Sequence, residues 1–591
     1  MSLVVQKFGG TSVADSEKIL SAARKAIRAK RQGHQVVMVV SAMGKNTDML
    51  VSLAREVSED PPAREMDMLL STGEQVSVAL MAMAISSLGY KAVSLTGAQI
   101  GIKTDSSHTK ARIKSISTDR MRRLLDDGNI VIAAGFQGID DELDITTLGR
   151  GGSDTTAVAL AAVLGASQCE IYTDVDGVYT TDPRVLPEAT LAKFVSYDEM
   201  LELASLGAGV MHSRSIEFGK KFGVPIHVRS SLSDIPGSLI IEDAGTEGVP
   251  VAGCALTRDE ARITLHGIPD VPGTLYEIFE PVARQNVTVD MIVQNISAEG
   301  RTDMSFTVPR DDFEATLGAI SIVADELGAT EVTKEEGVSK VSVVGRGMAT
   351  QSGIAFRMFR ALADSGINMQ MITTSEIKIS ALVEREQSLN ALRTVHEEFE
   401  LEQINDRIAD KIEVNRETVD VVDVVSRLQE IGMEALVIDD VVLDNTQSRV
   451  TLRGVPNQPG IAADLFREIA EGGIFVDMIV QSFAGSDFAD ITFTVPRDQF
   501  EACASLADKI SNRFGCEGID RKESIAKLSV SGTGLRSHTG VAIGMFKALT
   551  VAGINIELVN TSEVSVNVVV DGDDGEKGID CLREQFAGSL R

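Results

Sequence analysis

Tryptophan is missing from this 591-residue chain, and Phe, Trp and Tyr together make up only 4% of it. The shortage says little about class, because 43% hydrophobic and 24% charged residues are ordinary for globular protein. Cysteine is scarce and scattered. Cys169, Cys254, Cys503, Cys516 and Cys581 form no CxxC pair and are odd in number, which argues against a disulfide framework or structural zinc site and for a reducing compartment. Positive charge is short as well: 56 Lys and Arg face 86 Asp and Glu, a net −30. Phosphate backbones and anionic lipid are repelled, so no nucleic-acid or membrane partner is expected. Nucleotides stay open, since local loops bind phosphate on acidic proteins. No long apolar run is visible. The most apolar helical stretch, residues 76–85, is too short and alanine-rich to span a bilayer. The opening MSLVVQKFGG has no basic leader, so no signal peptide is expected. A soluble, cytoplasmic protein is the expectation.

What is present is a duplication. Residues 262–376 return 187 positions later. RITL at 262 becomes RVTL at 449, VDMIVQ at 289–294 returns at 476–481, FTVPRD at 306–311 returns at 493–498, and TSE at 374–376 returns at 561–563. A constant offset over such a length is an internal repeat. The stretch up to residue 245 has no such partner. The chain reads as one unique unit followed by a doubled one.

A chain of this length holds roughly three to five domains. In the first unit, short β-branched runs alternate with helical periods. A strand at 3–5 leads to a helix over 15–31, with Ile19, Leu20, Ala23 and Ile27 at helical spacing. Further strands are expected at 36–40, 92–95, 130–134, 170–173 and 225–229, and a helix at 72–88. Such alternation implies an αβα sandwich with a mainly parallel sheet. Residues 237–248 read as a linker. Each copy of the repeat divides into two α+β modules, with helices near 273–284 and 353–364 and strands near 287–294 and 367–373. The expected division is a first unit over 1–245, a first module over 262–335, and a second over 249–258 and 338–412. A linker over 413–433 follows, with a helix at 421–429. The third module covers 449–522, and the fourth 434–446 with 525–591.

Three Gly- or Asp-rich stretches carry chemistry. Lys7-Phe8-Gly9-Gly10-Thr11-Ser12 follows the first strand and opens the first helix. Adjacent glycines let backbone N–H groups approach an anion, the helix start adds positive potential, and Lys7 adds a cation. Taken alone it reads equally well as a tight turn with a snorkelling lysine. The GxxxxGKS spacing is missing, which disfavours a Walker-type NTPase. In the stretch 146–156, Arg150 can fork onto a carboxylate or phosphate. Gly151, Gly152 and the Ser153-Asp154 helix start form a second anion cradle, and two such cradles favour phosphate over plain turns. The stretch 173–184 holds Asp174, Asp176 and Asp182, which can hold magnesium or cap backbone. Tyr179 and Arg184 can contact a nucleotide. Ser71-Thr72-Gly73-Glu74 reads, from spacing alone, as a helix N-cap with an early glutamate. His212 and His227 read as packing or surface residues, and the methionines over 66–83 as core.

KFGGTS at 7–12, STGE at 71–74, LGRGGSDTTA at 148–157 and TDVDGVYTTDPR at 173–184, in this order and spacing, resemble the aspartate kinases. The duplicated modules resemble ACT domains, ferredoxin-like α+β regulatory units. Together the two resemblances cover essentially the whole chain. Most such kinases carry two ACT modules; four is a departure that matches a subset of bacterial-type enzymes. The resemblance implies an amino-acid kinase fold for 1–245. It also implies ATP- and magnesium-dependent phosphorylation of L-aspartate to 4-phospho-L-aspartate, the committed step toward lysine, threonine and methionine. Lys7, Arg150 and Asp174 are the implied catalytic set, with Lys7 stabilising the transferring phosphoryl group. Phe8, Gly9, Gly10 and Ser12, with Thr173, Asp174, Tyr179, Asp182 and Arg184, are implied to hold ATP. Arg150 clamps the α-carboxylate of aspartate, and Ser41, Thr47, Glu74, Gly151 and Ser153 complete that site. No direct metal ligand is implied; magnesium is held through ATP.

Lysine and threonine are the implied effectors, bound where ACT modules meet. In the first copy, Asp270-Val271-Pro272-Gly273-Thr274-Leu275 starts a helix and offers its N–H groups to a carboxylate. Val289, Asp290 and Gln294 are expected to face Ile354, Asn368, Met369, Ser375 and Glu376 of the same copy. The second copy offers Asn457-Gln458-Pro459-Gly460-Ile461-Ala462, Asp477, Gln481, Asn555, Ile556, Ser562 and Glu563. Asp270 has become Asn457, so the copies need not bind one effector alike, and the second either binds ligand or serves as a scaffold. A homodimer is the expected assembly. Two other readings remain: a glutamate, acetylglutamate or uridylate kinase of the same superfamily, or a catalytically dead amino-acid sensor. The joint KFGGTS and TDVDGVYTTDPR motifs argue against the first. Intact Lys7, Arg150 and Asp174 argue against the second. The lack of a GxGxxG unit argues against a fused homoserine dehydrogenase.

Overall fold

The computed structural model describes residues 2–207, 210–245, 249–285, 287–294, 300–349, 351–406, 433–434, 436–483, 488–535 and 540–590. The expected linker helix at 421–429 lies outside them.

The first unit is built on an eight-stranded sheet: β1 (Leu3–Phe8), β2 (Gln35–Val40), β3 (Ala92–Leu95), β4 (Ile130–Ala134), β5 (Gln168–Thr173), β6 (Phe194–Ser196), β7 (Ile226–Ser230) and β8 (Ser238–Ile241). Their order is β6-β8-β7-β5-β1-β2-β4-β3. Every pair is parallel except β7–β8. Continuous apolar runs such as QVVMVV suit strands covered on both faces, and β1 and β2 are buried almost throughout. Helices α1 (Ser16–Arg31), α2 (Asn46–Val57), α3 (Ala63–Ser87), α4 (Asp119–Asp126), α5 (Gly152–Leu164), α6 (Tyr197–Ser205) and α7 (Ser213–Phe222) belong to this unit. A small four-stranded sheet, ordered Ile113–Ile116, Ile102–Thr104, Gln137–Ile139, Ile145–Thr147, stands beside them.

Two expectations fail here. The helix expected at 72–88 begins at Ala63, just after Pro61 and Pro62, so Ser71–Glu74 sits mid-helix and is no N-cap. Gly73 interrupts helical propensity there because a Cβ would lie 2.8 Å from the Cβ of Ala42. At this length α3 is apolar enough to cross a membrane, yet half of that window is buried, and it carries the buried Asp67 and Glu74. The expected linker at 237–248 contains β8. Gly237, at φ +83°, turns the chain back so that β8 pairs antiparallel with β7.

The doubled half forms one twelve-stranded sheet. Its long strands each serve two modules. In Gly253–Pro269, residues 253–257 pair with Lys340–Val344, while residues 260–269 pair with Arg301–Pro309. Val437–Pro456 repeats the arrangement. The copies join where Ile372 faces Gln481 and Thr373 faces Val480. Helices also meet across copies. Phe279 in Thr274–Arg284 packs 6.1 Å from Phe546 in Gly540–Val551, and Phe359 in Ile354–Asp364 packs 5.6 Å from Phe466 in Ile461–Glu471. The first module therefore partners the fourth, and the second partners the third. Modules of one copy already share a strand, which leaves their helix faces free for the other copy.

Candidate active site

The C-terminal ends of β1, β2 and β5 bring the motifs together, the edge where open α/β sheets bind ligands. Phe8 pairs with Val40 on one side and Tyr172 on the other. Its ring stacks on Tyr172 with centroids 4.7 Å apart. Gly9 N–H donates to Tyr172 O at 3.3 Å, and Gly44 N–H donates to Gly10 O at 3.0 Å. Gly10 must be glycine: a Cβ would lie 2.8 Å from Ala42 O and 3.2 Å from Gly44 O. Ser41 N–H donates to Phe8 O at 3.2 Å, and Ala42 N–H donates to Glu74 Oε1 at 3.0 Å. Lys7 Nζ lies 2.6 Å from Asp154 Oδ1 in the first turn of α5, with side chains 11% and 14% exposed. KFGGTS, the loop after β2, STGE and GRGGSD are thus linked by direct contacts.

Among the described residues, Ser12 Oγ and Glu74 Oε2 are buried there without a hydrogen-bond partner. Burial pushes the Glu74 carboxyl up to about 7, against the opposing Ala42 N–H. Arg150 is exposed and pairs with no described residue. Gly151, at φ +73°, leaves room for His212, whose Cβ would lie 2.3 Å from an added methyl. Burial, with the charges of Arg214 and Arg150, holds His212 below the usual imidazole range. Ser153 is buried against Gly135 at the start of α5. Thr47 stands in the first turn of α2.

Asp67 was not foreseen. It lies two turns before Glu74 on α3 and is fully buried. Its carboxylate accepts from Thr147 Oγ1 at 2.5 Å and Thr109 N–H at 3.0 Å, and pairs with His108 Nδ1 at 2.8 Å. Helix α3 so fastens the Arg150 turn to Glu74. Asp154 was noticed only as part of a helix start. An acidic residue one turn inside a Gly-Gly helix start was the available signal, but nothing local tied it to Lys7.

After β5, Thr173 Oγ1 donates to Asp174 Oδ1 at 3.1 Å, and Asp174 is exposed. Tyr179 bridges to Leu191. Arg184 forks onto Asp182 with Nε–Oδ1 3.0 Å and Nη2–Oδ2 2.8 Å, so these two predicted nucleotide contacts are partners of one another. The same arm leans on the second module, where Cys254 N–H donates to Thr180 O at 2.7 Å.

The expected effector residues regroup across copies. Asp270 Oδ1 accepts from Asn555 Nδ2 at 2.7 Å and Gln294 Nε2 at 3.4 Å. Asn457 Oδ1 accepts from Asn368 Nδ2 at 3.0 Å, and Gln481 Nε2 donates to Met369 O at 3.0 Å. The expectation that Asn368, Met369, Ser375 and Glu376 face Val289, Asp290 and Gln294 is therefore corrected. Val271, Gly273, Thr274 and Leu275 line a pocket with Asn555 and Ile556. A cavity of about 100 Å³ between first and fourth modules is lined by Val289, Asp290, Ser562 and Glu563. Its counterpart of about 300 Å³ between second and third modules is lined by Ile354, Ser375, Glu376 and Asp477. The turns carrying Pro272, Pro459 and Ala462 flank these interfaces, as do Gln458, Gly460 and Ile461. Lys340 bonds Asp290, and its repeat equivalent Lys527 bonds Asp477 at 2.5 Å.

The amino acid kinase family model matches residues 2–230, and the ACT domain model matches 263–321, 341–399 and 528–586. An aspartate kinase of Stutzerimonas stutzeri is 49% identical over 404 residues, covering 68% of this chain and 98% of that protein. The crystal structure of aspartate kinase from Synechocystis is 39% identical, covers 100% of this chain and 98% of its own, and superposes with a TM-score of 0.52. E. coli aspartokinase III in complex with aspartate and ADP is 26% identical over 67% of this chain and 99% of its own, with a TM-score of 0.58; it has also been solved with lysine and aspartate. An amino acid kinase unit followed by ACT domains, with 49% identity to an aspartate kinase over 68% of the chain, places this chain in the aspartate kinase family.

Proposed function

We propose that this chain transfers the γ-phosphoryl group of ATP to the side-chain carboxylate of L-aspartate, yielding 4-phospho-L-aspartate for lysine, threonine and methionine synthesis in the cytoplasm. The acceptor is already ionised at neutral pH, so no general base is needed. The protein's task is to hold two anions in line and offset the charge of transfer. Lys7, steadied by Asp154, faces the transferring group. Phe8, Gly9, Gly10 and Ser12 cradle phosphate, and Thr173, Asp174, Tyr179, Asp182 and Arg184 flank the nucleotide. Arg150, exposed and paired with no described residue, clamps the α-carboxylate of aspartate. Glu74 Oε2 takes its ammonium, and Ser41, Thr47, Gly151 and Ser153 complete the site. Exposed Asp174 and the Lys7-bound Asp154 offer oxygens that suit magnesium arriving with ATP, and that ion neutralises phosphate charge when bound.

The observation that carries this reading is the buried Lys7–Asp154 pair, together with a buried Glu74 oxygen that has no hydrogen-bond partner among the described residues. An aspartyl-hydroxamate assay with ATP and magnesium tests it. Absence of hydroxamate with folded protein would overturn it.

Feedback by lysine and threonine is the second part of the proposal. The paired cavities combine helix N-termini with acidic side chains, which suits zwitterions. Glu202 of α6 accepts from Glu563 N–H at 2.8 Å and pairs with Lys378 at 3.0 Å. Lys378 and Glu563 line the first–fourth cavity, so a ligand there acts directly on the catalytic unit. Calorimetry of the whole chain, as the expected homodimer, with each amino acid separately and together tests this; no heat from either would refute it.

A further inference from the structure

Met433 and Glu434 stand where the linker meets the fourth module in sequence, yet they are seated in the catalytic unit. Met433 is buried in that unit's core; its N–H donates to Lys114 O at 3.2 Å and its carbonyl accepts from Lys221 Nζ at 3.1 Å. Glu434 is gripped harder. Oε2 accepts from Arg214 Nε at 2.6 Å, while Oε1 accepts from Arg214 Nη2 at 2.6 Å and from Ile113 N–H at 2.8 Å. The Arg214 and Glu434 side chains are 13% and 8% exposed.

The same guanidinium reaches the substrate turn. Arg214 Nη1 donates to Leu148 O at 2.5 Å, and Nη2 donates to Ala111 O at 2.7 Å. Leu148 leads into Gly149-Arg150-Gly151, where both glycines hold positive φ. His212, two residues before Arg214, fills the space beside Gly151. A guanidinium is a rigid planar fork. Here a carboxylate from the regulatory half fixes one edge, and the other edge holds the backbone that presents Arg150.

We propose that Glu434 is a positioning residue for aspartate binding: it locks Arg214 so that the 148–151 turn keeps Arg150 aimed at the substrate. The inference rests on Arg150 as the α-carboxylate clamp. Removing the Glu434 carboxylate leaves Arg214 as a buried cation without its partner, the costly way to break such a pair. The guanidinium then leaves the Leu148 carbonyl and the turn loosens. The nucleotide side is built on β1 and β5, so the affinity for ATP is the internal control.

Steady-state kinetics on the full chain, varying aspartate and ATP independently, tests this with Glu434→Gln, Glu434→Ala and Glu434→Asp. For Gln and Ala, the KM for aspartate rises at least about tenfold, while kcat and the KM for ATP stay within about twofold. Glu434→Asp recovers part of the loss. An aspartate KM within about twofold of the parent in both Gln and Ala variants overturns the inference. So does a parallel rise of both KM values with a lowered Tm, which marks general loosening. Arg150→Ala is measured alongside: an unchanged aspartate KM there removes the clamp itself and this route with it, whereas silence of the Glu434 variants alone removes only the inference.

Discussion

Lys7 at the end of β1 and Asp154 in the first turn of α5 form a 2.6 Å ion pair that is largely withdrawn from water. The helix start favours the Asp154 carboxylate, and the carboxylate in turn fixes the ammonium beside Gly9, whose Cβ position lies 3.5 Å from Lys7 Nζ. The pair ties the Gly9-Gly10 turn to the Gly151-Gly152 start of α5.

Removing either member should damage turnover more than folding. Lys7→Ala is expected to lower kcat by about 1,000-fold or more, and Asp154→Asn by about 100-fold. For Lys7→Ala far-UV circular dichroism should be unchanged, because Asp154 keeps the helix start as a partner. Near-normal kcat in Lys7→Ala would refute its role.

Glu74 should make both stability and substrate affinity depend on pH. The unfolded chain loses this proton near 4.5 and the folded chain at about 7. The folded state holds more protons between these values, so stability falls as pH rises across that window. Glu74→Gln should abolish the slope and be the more stable protein above pH 7, as read from urea melts. An ammonium prefers ionised Glu74, so the KM for aspartate should fall as pH rises from about 6 to about 8 in the parent and stay flat in the variant. A flat parental profile contradicts the assignment.

The two glycines of the phosphate turn should differ. At Gly10 a methyl meets two carbonyl oxygens of the 42–44 loop, at 2.8 and 3.2 Å, whereas at Gly9 the nearest atom is the end of Lys7 at 3.5 Å. Gly10→Ala is expected to lower kcat/KM at least about 100-fold, and Gly9→Ala less than about tenfold. Equal effects would show that steric approach is not what selects glycine here.

Effector responses should follow cross-copy partners. Asp270→Ala and Asn555→Ala are expected to weaken the same amino acid's inhibition by about tenfold, with the double variant no worse than either single. Asn368→Ala should instead share its phenotype with Asn457→Ala. Inhibition assays with each amino acid read this, and a double Asp270→Ala, Asn368→Ala variant no worse than either single would restore within-copy sites.

Much of the catalytic unit was legible in its residues. The apolar runs around Val36 and Ile130 suited buried strands, and they are strands; Lys7-Phe8-Gly9-Gly10 was read as following the first strand, and it lies at that strand's C-terminal end. Glu74 was harder to read. Gly73 looked like a helix start, and the cause of a mid-helix glycine, contact with Ala42, lies on another segment. Asp67 and Arg214 gave no local signal, since their partners Thr147, Leu148 and Glu434 are remote in sequence.

Periodicity, turn chemistry and the 187-residue repeat by themselves determined the alternating strands and helices, the duplicated modules and the Gly-rich turns. Each depends on neighbours within a few residues or on self-similarity along the chain. Only the tertiary structure decided that Lys7 meets Asp154, that the first module partners the fourth, and that Glu434 lies against Arg214. Those pairings are set by which faces remain unburied after local structure forms, and that choice belongs to the packed whole.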